Sequence, residues 1–211
     1  MNTESRTRTL TLLGGLIAVQ VVLTLVNVGL IPLPAIKATT LHIPVIVGAV
    51  LLGPGPGMIL GASFGILSVI TNTIQPGLTS FVFSPFVMIG DQSGNLLSLV
   101  VAIVPRVLIG FNAYYSYKFI SRWDQSKIFA YAVAGIVGAL TNTIFVMGGI
   151  YVLFGEQYAQ ATNHAVSELL KVIMAVVAGN GIPEAITAGI VVPAITKPLS
   201  IIFKANRKKH K

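Results

Sequence analysis

The chain reads as an all-α integral membrane protein, with six membrane-embedded helices and both termini on the cytoplasmic side (N-in/C-in). Three observations predict this. Of 211 residues, 54% are hydrophobic and only 9% charged, where soluble domains carry about 25% charged residues. The apolar residues fall into runs, several of them near the ~20 residues that one helix needs to cross a bilayer. The basic residues gather at the ends of those runs. Apart from Lys37, Arg106 and Lys171, the 14 Lys and Arg collect on one side of the resulting topology. Such a bias places the termini inside, and it accounts for the net charge of +8 without a nucleic-acid partner.

The first run, 10–31, follows Arg6 and Arg8 and is too long for a signal-peptide core, so it is read as a retained span. Gly14 and Ala18 lie four apart on one of its faces, a spacing that lets another helix approach closely, within this chain or from another. Ile31-Pro-Leu-Pro34 ends the span, and 32–41 form a loop holding Lys37, Thr39 and Thr40. Two shorter apolar runs follow, 42–53 and 57–71, joined by Gly53-Pro-Gly-Pro-Gly57. Short, glycine-interrupted segments of this kind point to a binding site in transporters. The turn is no phosphate cradle, because Met58 follows the last glycine where a phosphate-binding loop needs Lys and then Ser or Thr. Gly57, Gly61 and Gly65 form a stripe four apart, so one face of this helix must meet another backbone.

Residues 72–96 are polar and broken by glycine and proline, yet hold Phe81, Phe83 and Phe86. They are expected to form a long surface loop over a cavity, with the three rings roofing it or anchored in the membrane interface. The next span, 97–119, ends in Tyr114-Tyr-Ser-Tyr117-Lys118, an interfacial aromatic and basic anchor. A short loop leads to the fifth span, 128–154, where Ala134 and Gly138 are spaced for close packing and Asn142 stands mid-run. Residues 155–182 begin polar and continue as an amphipathic helix over about 166–178. The sixth span starts at Gly181-Ile-Pro183-Glu184, where proline suits the first helical turn and the acid suits its positive end. The whole of 1–211 is one membrane-embedded domain with short cytoplasmic tails, about 1–9 and 204–211.

Arg106 is the sharpest functional clue. It lies about ten residues into the fourth span, where a charge costs roughly 2.5–3.5 kcal/mol on insertion scales. It is expected to face the interior or a polar cavity, the alternative being that it snorkels from a shallower position. Its planar fork matches a carboxylate, either that of an anionic substrate or that of Asp91, Glu168 or Glu184. Asn142 must also point inward, to a ligand or to a neighbouring helix. Asn180 and Glu184 flank a helix N-terminus, whose free N–H groups suit an anion; Glu184 itself would accept a hydrogen from a ligand or pair with Arg106. Thr40 and His42 at the rim of the short pair, and Asn72 and Gln75 from the opposite loop, complete the candidate binding set. Enzyme chemistry has no footing: there is no cysteine and no His-Glu-x-x-His, and no catalytic residue, metal site or bound cofactor is expected.

Ala38-Thr-Thr-Leu-His-Ile-Pro44 with the apolar run to Pro54, the glycine-striped helix, Val104-Pro-Arg-Val-Leu-Ile-Gly110 and Gly181-Ile-Pro-Glu-Ala185 together resemble the substrate-binding S components of energy-coupling factor (ECF) vitamin transporters, and most of all their pantothenate-specific branch. The resemblance covers nearly the whole chain. It implies a multi-pass protein of a prokaryotic plasma membrane that captures a vitamin outside. It also implies delivery inward with a transmembrane coupling subunit and two ATP-binding subunits that supply the energy. Gly14 and Ala18 match the small-residue motif that faces the coupling subunit, and Gly57 and Gly61 are placed on that interface with them. Pantothenate carries a carboxylate for Arg106; riboflavin, the first alternative, carries none. A stand-alone secondary carrier is the other alternative.

Overall fold

The computed structural model describes residues 3–26, 30–33 and 36–209, with side chains described for 7–26 and 40–202. The main elements are α-helices: α1 (Thr3–Leu25), α2 (His42–Leu52), α3 (Pro54–Ile74), α4 (Leu96–Ile120), α5 (Ile128–Ala161), α6 (Leu169–Val176) and α7 (Ile182–Lys209). Among the described residues, five helical segments are long and apolar enough to cross a membrane, and α2 is a shorter apolar helix. Six membrane-embedded segments are therefore present, as the hydropathy predicts.

The first helix lies earlier in the chain than expected, starting at Thr3. It stops at Leu25, and Leu30–Leu33 form β1, paired antiparallel with β2 (Ile36–Thr39). Pro32 has no N–H to continue a helix, and the residues expected to be a plain loop are a hairpin instead. Its side chains, Lys37 and Thr39 among them, lie outside the described residues, as do those of Arg6 and of the C-terminal basic tail.

The short pair is asymmetric. The break between its helices is a single residue, Gly53, at φ 106 and ψ 177. That backbone conformation suits glycine, which lacks a Cβ to clash. Pro54 then starts α3 at once, its fixed φ suiting the first turn. α3 runs 21 residues and spans fully, so only α2 is short. Nine of the 11 residues of α2 are buried; it is a central post, with Val45, Ile46 and Ala49 inaccessible among the other helices.

The glycine stripe does what its spacing requires. A Cβ on Gly57 would meet Ala49 and the backbone of Gly110, one on Gly61 would fall on the carbonyl of Arg106, and one on Gly65 would lie 2.8 Å from the carbonyl of Ala102. Backbone therefore meets backbone along the α3–α4 seam. On α5, Gly138 receives Ile46 of α2, and Gly135 lies against the carbonyl of Ala188 on α7.

Residues 75–95 form the expected surface segment beside the cavity only in part, because their middle is inserted into the core. Phe81, Val82 and Ser84 are fully buried. Phe81 packs edge-on against Phe154, 6.3 Å between ring centres, where α5 departs from helical geometry; that helix continues beyond its expected end to Ala161. The segment is fastened at both ends. Asn72 accepts from Ser80 Oγ at 2.6 Å, Ser84 and Thr73 share a 2.6 Å hydrogen bond, and Ser98 Oγ donates to the carbonyl of Phe81 at 2.7 Å. A small hairpin, β3 (Met88–Ile89) with β4 (Gln92–Ser93), completes it. Phe86 is exposed, so the three phenylalanines have three different fates.

At the other end, Asp124 accepts from the N–H of Ala130 at 2.8 Å and from Ser126 Oγ at 2.8 Å. The Ala130 bond, supported by others, holds its carboxyl below the usual carboxylate range and fastens the start of α5.

Candidate functional site

A cavity of about 580 Å³ opens among α3, α4, α5, the turn before α7 and residues 75–83. That is a normal volume for a small-molecule site. One stripe of α3 forms a wall, Phe64, Leu67, Ser68, Thr71 and Asn72, positions that share a helix face, and Gln75 just past its end continues it.

Arg106 reaches this cavity from α4 and is only 6% exposed. Its setting follows from its neighbour. Pro105 lies inside α4 and has no N–H, so the carbonyl of Val101 four residues earlier loses its usual helical donor. Arg106 supplies the replacement: Nη1 donates to that carbonyl at 2.7 Å. The guanidinium carbon also lies over the rings of Phe64 (5.4 Å) and Phe83 (5.3 Å), within the range of cation–π attraction. Nε finds no hydrogen-bond partner among the described residues. A buried donor left so costs about 1–3 kcal/mol, which an arriving acceptor would recover.

Glu184 lines the same cavity and interacts with Arg106 through charge; Thr143 Oγ1 donates to Glu184 Oε2 at 3.4 Å. Glu184 and Asn180 reach the cavity because α6 and α7 are joined by a π-helical turn, Val177–Gly181. Turns of that kind are frequent at functional sites. Gly181 is needed there, since a Cβ would lie 2.9 Å from Thr143. Asn142 enters from α5. The amide oxygens of Asn142 and Asn180 are buried without partners among the described residues.

The fold thus brings together Arg106, Asn142, Asn180, Glu184, Asn72 and Gln75 from four separate stretches of chain. Asn72 reaches the cavity with its amide already engaged, donating to the carbonyl of Ser68 at 2.9 Å and accepting from Ser80. Thr40 and His42 are not among the lining residues; His42 is buried in the first turn of α2, and Leu41 beside it faces the cavity instead. Phe64, Ser68, Thr143 and Tyr158 also line the cavity and were not singled out from sequence. Phe64 and Ser68 were within reach, being three and seven residues beyond Gly61 on the striped helix.

The ECF transporter substrate-specific component family matches residues 8–196. The chain belongs to that family. The ECF substrate-specific component is also 34% identical over 202 residues, 92% of this chain and 96% of the relative, to a protein of Lactococcus lactis subsp. cremoris named pantothenic acid transporter PanT. As an ECF substrate-specific component the chain is a multi-pass, non-catalytic transport subunit, and the family works with an energising module.

The predicted coupling face divides in two. Gly14 and Ala18 are exposed on α1, and no atom lies within 4 Å of a Cβ built on Gly14. Gly57 and Gly61 are corrected: both are buried in the α3–α4 seam and offer nothing to a partner. Their small size serves helix packing within the chain.

Proposed function

We propose that this ECF component captures pantothenate from outside and passes it inward with a transmembrane coupling subunit and two ATP-binding subunits, binding no cofactor itself. The observation that carries the proposal is Arg106, a buried guanidinium lining the cavity whose Nε has no partner among the described residues. A carboxylate satisfies that edge with a charge-assisted hydrogen bond. Glu184 and the oxygens of Asn142 and Asn180 are acceptors, suited to hydroxyl and amide N–H groups at the rest of the ligand. Pantothenate has one carboxylate, two hydroxyls and an amide. The name carried by the Lactococcus relative supports the same substrate.

The expected setting is a prokaryotic plasma membrane with both termini inside, by the bias of Lys and Arg. Gly14 and Ala18 would meet the coupling subunit. Calorimetric titration of the purified chain with pantothenate and with riboflavin tests the reading. Pantothenate binding that falls at least tenfold in Arg106→Gln is expected. Riboflavin binding, or an affinity within twofold of the parent in that variant, would sink it.

A further inference from the structure

Three contacts hold Arg106 in one orientation, and one of them exists because of a missing atom. Without an N–H at Pro105, the Val101 carbonyl is open, and Nη1 of Arg106 occupies it at 2.7 Å. Phe83, carried by the segment that Phe81 and Ser98 fasten to the core, places its ring 5.3 Å from the guanidinium carbon. Phe64 does the same from α3 at 5.4 Å. With Nη1 committed to the backbone, the edge formed by Nε and Nη2 is the one left to meet a ligand.

We infer that Pro105 and Phe83 are positioning residues that set the site's preference for a carboxylate: proline exposes the carbonyl that anchors one end of the guanidinium, and the phenyl ring holds its plane. This rests on the reading of Arg106 as the carboxylate partner. The chemistry is general. A fork fixed before binding loses less freedom on forming its bonds than a mobile one. In Pro105→Ala the new N–H would take the Val101 carbonyl in the ordinary helical way. Arg106 would keep its charge and lose its anchor.

The test compares two ligands by calorimetric titration: pantothenate, and pantothenol, its analogue with CH₂OH in place of the carboxylate. Parent, Pro105→Ala, Phe83→Leu, Arg106→Gln and the Pro105→Ala/Arg106→Gln double variant are measured. Removing a proline from a helix interior does not endanger folding, so Pro105→Ala keeps the test open should Phe83→Leu be poorly folded. The expected result is a preference for pantothenate over pantothenol that drops about tenfold in Pro105→Ala. Pantothenol affinity should change less than twofold, with no further drop in the double variant. Equal loss of both ligands, or an unchanged preference, would overturn the positioning role while leaving Arg106 as the carboxylate partner. A parent chain whose preference is the same as that of Arg106→Gln would overturn both.

Discussion

Gly61 of α3 lies directly against the carbonyl oxygen of Arg106 on α4, so close that a Cβ on this glycine would overlap it. The site's arginine and a backbone-to-backbone helix seam are thus one place. Widening the seam moves the backbone that carries the guanidinium.

Gly61→Ala is accordingly expected to lose about 1–3 kcal/mol through overpacking against backbone that cannot rotate away. Thermal unfolding in detergent should fall by several degrees, with weaker ligand binding beside it. Gly14→Ala is the control. Nothing stands within 4 Å of its Cβ, so alanine's better helix propensity should leave stability equal or higher. Equal melting temperatures for the two variants would contradict the packing described.

Larger changes at Gly14 and Ala18 separate assembly from capture. Both are exposed on α1, and neither lines the cavity. Leucine at either position should leave titration with pantothenate within twofold and abolish co-purification with the energising module, because a small-residue face lets helices approach and a leucine props them apart. Retained assembly in both variants would remove α1 from that interface.

Gln20 is the one buried side chain among those described in α1. Its amide donates to the carbonyl of Leu60 at 3.2 Å and accepts from Ser63 on α3, and Thr24, whose hydroxyl donates to the Gln20 carbonyl, lines the cavity one turn on. Polar bonds between membrane helices are worth about 0.6 to 1.7 kcal/mol. Gln20→Leu should lose about that much, and hydrogen exchange should quicken in α1 before the other helices. Uniform exchange across all helices would argue against α1 being held chiefly by this bond.

What could be read from the chain follows what leaves a periodic or compositional mark. The glycines at 57, 61 and 65 announced close approach at fixed spacing, and Arg106 announced itself as a charge inside an apolar run. The two hairpins left no mark, since pairs of two- to four-residue strands have no room for alternation. Phe81 was misjudged because its neighbours are polar; Ser84, Asn72 and Ser98 bond inward, which hydropathy scores as exposure. Gly57 and Gly61 show the limit of spacing. Small residues four apart declare that something comes near, without declaring whether it belongs to the same chain. The open carbonyl of Val101 follows from Pro105 and helix geometry, whereas its occupation by Arg106 is visible only in the structure.

The brevity of α2 has a consequence for how thinly the protein is sealed. Eleven residues rise only about 16 Å, roughly half of a ~30 Å hydrocarbon layer. Leu41, at its head, borders the cavity. A molecule resting there would sit on a floor half a membrane deep, kept watertight by one stubby plug that is apolar from Ile43 to Leu52.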